Sequence, residues 1–195
     1  MFKIIITSLL TLTLISCSQK SDNVKIVEDY FAAHNSHNVN KTMKFYSKDA
    51  SFEIPGQDTF KGLEQILEIE EWDAALSSDL EASDFVDNGD TVFVNKIIER
   101  NDWFENMGID SVVYNPGTRI ILEKGLIKAM IPSPLLQESR ERILTRLEMF
   151  VNWAKTIEPE ALKSLLPEGK FSYKKENANK WISLLKEWQS YGHHK

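Results

Sequence analysis

One cysteine stands in 195 residues. A single thiol excludes an intramolecular disulfide framework and any zinc site built from several thiolates. Glycine (8) and proline (6) are scarce, far below what a collagen-like repeat or a low-complexity linker needs. Basic residues are in deficit, 23 Lys and Arg against 29 Asp and Glu for a net charge of −6. That balance argues against a nucleic-acid partner whose many phosphates must be neutralised. No apolar run reaches the ~20 residues that a helix needs to cross a bilayer. A Gly-rich phosphate loop, a nucleophile elbow, a His-x-x-x-His pair and an internal repeat are all missing. Asp87-Asn88-Gly89-Asp90 lacks the spacing of a calcium loop and reads as a hairpin turn. The expectation is therefore no metal and no cofactor. What is present is 42% hydrophobic and 27% charged, the composition of one globular domain with room for an appendage.

Residues 1–16 read as an address. Lys3 precedes twelve apolar or hydroxyl side chains at 4–15 with no acid among them, the build of a secretory signal. Leu14-Ile15-Ser16-Cys17 resembles the bacterial lipobox, in which cleavage falls before a lipid-modified cysteine. The resemblance implies a lipoprotein with Cys17 as its acylated N-terminus, palmitate among the acyl chains, and a place in the cell envelope. By the sorting rules of Gram-negative bacteria, Ser18 would direct it to the outer membrane, facing the periplasm or the exterior. Two or three acyl chains anchor a protein stably where one does not. Removing residues 1–16 takes away Lys3 and no acid, so the net charge moves from −6 to −7. Residues 17–23 are small and polar and read as a tether.

Over residues 24–35, Val27, Tyr30, Phe31 and His34 recur at helical spacing. Asn38 is placed to cap a second helix carrying Val39, Met43 and Tyr46. Residues 50–54 form a short strand stopped by Pro55-Gly56, and residues 63–76 a third helix with Ile66, Ile69, Trp72 and Leu76 near one side. Then the period changes. Residues 80–86, 91–103, 109–114, 118–123 and 126–131 are β-rich and separated by turn signals, which predicts an antiparallel meander and an α+β fold. After Pro132-Ser133-Pro134 the pattern is helical again, with stripes at Ile143, Leu147, Phe150, Val151 and Ala154, at Leu162, Leu165 and Leu166, and at Trp181, Leu184, Leu185 and Trp188. The predicted organisation is a signal at 1–16, a tether at 17–23, a domain at 24–132 and a helical extension at 133–195 packed on it.

Residues 24–132 resemble the nuclear-transport-factor-2-like superfamily and its SnoaL-like branch. The resemblance rests on Tyr30-Phe31-Ala32-Ala33-His34-Asn35, on the run from Phe45 to Glu53, on Phe60-Lys61-Gly62 before the third helix, and on Glu123-Lys124-Gly125-Leu126-Ile127. It implies a cone in which three helices and a curved sheet enclose an apolar pocket. That shape serves enzymes and binding modules alike.

Two related chemistries can be tried on the chain. Ketosteroid isomerases, which look similar, would use Tyr30, but their catalytic aspartate falls on Ile54 and their late acid near Thr118. Limonene epoxide hydrolases, also similar in outline, use an Arg-x-Asp that Arg100-Asn101-Asp102 fits; their second aspartate has no counterpart, and Glu53 is the available replacement. The leading expectation is a lipid-anchored envelope protein whose pocket holds a small apolar molecule against Tyr30, His34, Trp72, Trp103 and Tyr114. A hydrolase or isomerase acting through Arg100, Asp102 and Glu53 is the alternative, with Arg100 and Asp102 as a solvated pair for its bland counterpart. A module that homodimerises or docks a partner through the outer sheet face is a third reading. His193 and His194 read as a surface tail.

Overall fold

The computed structural model describes residues 21–56 and 59–192. The signal, Cys17 and most of the tether lie outside the described residues, as do His193 and His194. Helix α1 (Asp22–His34) starts two residues before Val24 because Ser21 caps it, accepting the Val24 backbone N–H at 3.2 Å. Asn38 caps α2 (Val39–Thr42) by accepting from the Lys41 N–H. That helix lasts one turn and passes through a 3-10 turn at Met43–Phe45, so Tyr46 leaves the helical stripe expected for it and opens strand β1 (Tyr46–Glu53). Strand β2 (Thr59–Lys61) leads into α3 (Gly62–Ala75) through Gly62, whose φ of +78° suits glycine alone at low cost.

The remaining strands are β3 (Asp79–Asn88), β4 (Thr91–Arg100), β5 (Val112–Val113), β6 (Thr118–Glu123) and β7 (Leu126–Ile131). They make one mixed sheet in the order β2-β1-β7-β6-β4-β3, with β5 beside β4. The meander is antiparallel as expected, but β1 runs parallel to β7. A parallel neighbour needs a long crossover, and α3 with the whole meander supplies it. The segment 91–103, expected as one strand, stops at Arg100. Asn101 accepts the Phe104 N–H at 2.8 Å and caps a short helix, α4 (Asp102–Asn106), which carries Trp103.

One irregularity decides what faces inward. The β3–β4 ladder pairs Ser83 with Lys96 and Phe85 with Val94 and skips Asp84 and Asn95 between them; Asp84 has a φ of +59°. Before this break in the pairing Val92 and Val94 are buried, and after it Ile97 is, with the register itself unchanged. The inward face of β4 therefore moves from even to odd positions, as a bulge-like kink does.

The extension forms α5 (Gln137–Ile157), α6 (Pro159–Leu165) and α7 (Lys175–Ser190). Pro159 sits in the first turn of α6, where its missing N–H costs nothing. Helix α7 packs on α3 and α4, and α5 packs on α6 and α7. Two hydrophobic cores result: one inside the cone around Val27, Tyr30, Val92, Ile120 and Ile127, and one richer in tryptophan around Trp103, Phe150, Trp181 and Trp188.

Candidate functional site

Between the helices and the concave sheet lies a cavity of about 720 Å³, within the ~300–1,000 Å³ common for small-molecule sites. Phe31, Phe52, Ile69, Trp72, Ile97 and Met130 give it apolar walls. Pro55, Pro134 and Arg140, all exposed, mark its rim. The extension completes the enclosure: Phe171 and Tyr173, just before α7, reach the cavity and meet Trp103 and Trp72 edge-on at 5.7 and 5.4 Å between ring centres.

Behind the wall at Tyr30 and His34 the fold sets a hydrogen-bonded network. The Glu70 carboxylate is 3% exposed. It accepts from the Tyr46 hydroxyl at 2.8 Å and the Tyr30 hydroxyl at 3.1 Å on one oxygen, and from His34 Nδ1 at 3.2 Å on the other. A buried carboxylate is costly unless donors surround it, and three do. Because Glu70 offers only acceptors there, Nδ1 must carry a proton. Burial alone would lower the His34 pKa; the hydrogen bond and charge of Glu70, helped by Asp73 and Glu99, outweigh it and hold the imidazole at about 9. Its other nitrogen, Nε2, is buried with no partner.

Asp73, one turn beyond Glu70 on α3, lines the same cavity. Burial lifts its pKa to about 8; His34 opposes the rise, and the charges of Glu99 and Glu70 add to it. Across the cavity Glu99 accepts from the Tyr114 hydroxyl at 2.5 Å, from Asn101 at 2.7 Å and from Ser78 at 3.0 Å. Burial, followed by the nearby Glu99, raises the Tyr114 pKa and keeps the phenol a donor.

Tyr30, His34, Trp72, Trp103 and Tyr114 thus surround one cavity. Arg100, Asp102 and Glu53 are not brought together, and none of them lines it. Arg100 is exposed and pairs with Glu81 at 3.3 Å. Asp102 accepts from Ser77 Oγ at 3.1 Å at the start of α4, and Glu53 is exposed at the end of β1. Along β4 the break in pairing at Asp84 and Asn95 leaves Glu99 inward and Arg100 outward, and the cap at Asn101 places Asp102 at the start of α4. Sequence reasoning missed Glu70, Asp73 and Glu99. The first two had a signal, since Glu70 and Asp73 follow Ile66 by four and seven residues and so share its inward face. Among the described residues no group of three or more His, Cys, Asp or Glu is arranged to hold a metal ion.

Comparison with known proteins agrees with this architecture. The SnoaL-like domain family model matches residues 27–113, less than half of the chain, and the helices and curved mixed sheet described above agree with a nuclear-transport-factor-2-like fold. No curated protein matches the chain. Among solved structures it is similar to SalBIII, an epoxide hydrolase/cyclase-like enzyme in pyran ring formation in the polyether salinomycin, at 18% identity and a TM-score of 0.53 over 60% of this chain and 92% of that one. It is also similar to a candidate ketosteroid isomerase from Kribbella flavida, at 13% identity and a TM-score of 0.50 over 60% of this chain and 78% of that one. At such identities the likeness concerns the fold.

Proposed function

We propose that this protein binds a small, mostly apolar molecule inside the cone. The observation that carries the reading is the cavity itself, about 720 Å³ with aromatic and aliphatic walls and a few convergent polar groups, the usual constitution of a ligand site. Filling the cavity tests it. The fluorescence of N-phenylnaphthylamine, a neutral apolar dye, is expected to rise on mixing with the wild-type protein and to stay low with Ile97→Trp, which places a larger side chain on the cavity wall. No rise with the wild type, or an equal rise with both proteins, contradicts the reading.

We also infer that the protein works at a membrane of the cell envelope, held by lipid on Cys17. The support is sequence order: Lys3, the run at 4–15, and Leu14-Ile15-Ser16-Cys17. Among the described residues no helix is long and apolar enough to cross a membrane. Radiolabelled palmitate is expected to enter the wild-type protein and not Cys17→Ser; labelling of both, or of neither, contradicts the anchor.

A further inference from the structure

Two stretches of the cavity wall are held in unlike ways. The chain from Pro132 to Leu136 is pinned to the β5–β6 region. Asn115 donates its backbone N–H to Pro134 and its side-chain amide to Pro134 and Leu135, Ser133 donates to the Thr118 hydroxyl and the Pro116 carbonyl, and Leu136 donates to Val113. Pro132 and Pro134 also fix two φ angles there. Residues 166–174, which cross from α6 to α7, lack such ties. Among the described residues no backbone–backbone hydrogen bond joins this segment to the cone: Gly169 donates to Leu166, Lys170 to Pro167 and Lys174 to Ser172, all within it.

Rings hold the segment against the cone instead. Tyr173 meets Phe60 and Trp72 edge-on at 5.8 and 5.4 Å between ring centres, and Phe171 meets Trp103 at 5.7 Å. Each such pair contributes modestly, and its separation leaves no backbone group unpaired. Phe171 and Tyr173 line the cavity and are half-buried, so they reach solvent and cavity alike. The two ends are fixed by buried side chains, Leu162 and Leu165 on α6 and Trp181 and Leu185 on α7. Inside those ends lie two pivots. Glu168 (φ +54°) and Gly169 (φ +77°) make an exposed left-handed bend with open space around Gly169, and a left-handed glutamate stores strain. Lys174 begins α7 without a side-chain cap, which leaves the first turn easy to fray. The segment lies outside the stretch that matches the SnoaL-like family model, so it belongs to this chain's own extension.

We propose that residues 166–174 are a gate: the segment swings out on these pivots, lifts Phe171 and Tyr173 off the cone, and opens the wall to an entering or leaving ligand. The proposal rests on the cavity being a ligand site. A gated site takes up ligand only in the fraction of time that it is open, so the segment sets the rates of binding and release more than the affinity.

Stopped-flow mixing with N-phenylnaphthylamine tests it. For the wild-type protein the rate of the fluorescence rise is expected to level off as dye is increased, at the rate of opening. In the double variant Phe171→Leu/Tyr173→Leu, which keeps apolar side chains and loses the rings, that plateau is expected to rise about tenfold. Asn115→Ala, which removes hydrogen bonds from the pinned stretch, is expected to leave it within about twofold of wild type. Hydrogen exchange of the wild-type protein, which needs neither variant to fold, is expected to show the amides of 166–174 slowed by bound dye. A rate that climbs linearly with dye throughout, a plateau unmoved by the ring variant, an equal or larger rise with Asn115→Ala, or amides at 166–174 indifferent to the dye overturns the gate and leaves the cavity a binding site. No fluorescence rise with the wild type overturns the gate and the binding function together.

Discussion

The two cores of this chain meet at Tyr114 and are built on opposite principles. Beside the extension, Trp103, Phe150, Trp181 and Trp188 pack edge-on or tilted at 5.3–5.8 Å between ring centres. The buried polar side chains near them are uncharged types: Asn106, Ser139 and Asn177. Inside the cone the walls mix aliphatic and aromatic side chains, and groups of charged type, His34 and Glu70, are buried there. Aromatic packing of the first kind stabilises a fold. Burying a histidine and a carboxyl group costs stability, and such groups concentrate at functional sites. The extension core therefore stabilises the fold, and under the proposed function the cone carries the ligand site, with Trp72 and Trp103 of the extension core forming part of its wall.

Substitutions can break this contrast. Trp181→Ala, in the extension core, is expected to have the largest effect, a loss of about 3–5 kcal/mol in urea unfolding. A loss below about 1 kcal/mol would mean that the extension is not the structural half. Glu70→Leu is expected to cost about 2–3 kcal/mol by the same measurement, because it leaves the His34 imidazole and one of the two paired tyrosine hydroxyls without an acceptor. Glu70→Gln, which keeps a carbonyl acceptor, should cost less.

A smaller effect follows from pH. The folded protein keeps the Asp73 proton up to about 8 where the unfolded chain loses it near 3.8, and keeps the His34 proton up to about 9 against 6.5. In both windows the folded state binds more protons, so stability falls as pH rises. The contribution of His34 is complete below 6.5 and gone once pH has passed about 9. The melting temperature is expected to drop by several degrees between pH 6 and 9. Asp73→Asn should shallow the lower part of that drop, and a flat profile for the wild type contradicts the buried network. Smallest of all, Arg100→Gln is expected to stay within about 0.5 kcal/mol of wild type and to leave ligand affinity unchanged, since its partner Glu81 is a surface carboxylate.

Much of the fold was legible because its signals are local. Val27, Tyr30, Phe31 and His34 keep helical phase, the Asn88-Gly89 turn joins β3 to β4, and Trp181, Leu184, Leu185 and Trp188 stripe α7. The candidate site was legible only in part. Periodicity put Tyr30 and His34 on an inward face, but it treats a carboxylate as a surface residue and so passed over Glu70, whose burial depends on donors from α1 and β1. Arg100 and Asp102 share the parity of Val92 and Val94, and counting by twos along β4 would have turned them inward. A kink at Asp84 and Asn95, set by pairing between two strands, reversed that parity. Capping by Asn101 then took Asp102 out of the strand altogether.

The crystal structure of the wild-type protein grown with acetylnaphthalene is the most direct test of the central claim, that the cone is a ligand site built around its buried polar network. The account predicts the naphthalene ring inside the cone, against Trp72 and Ile97. A ligand bound elsewhere on the surface, or a cone closed by its own side chains, would contradict it.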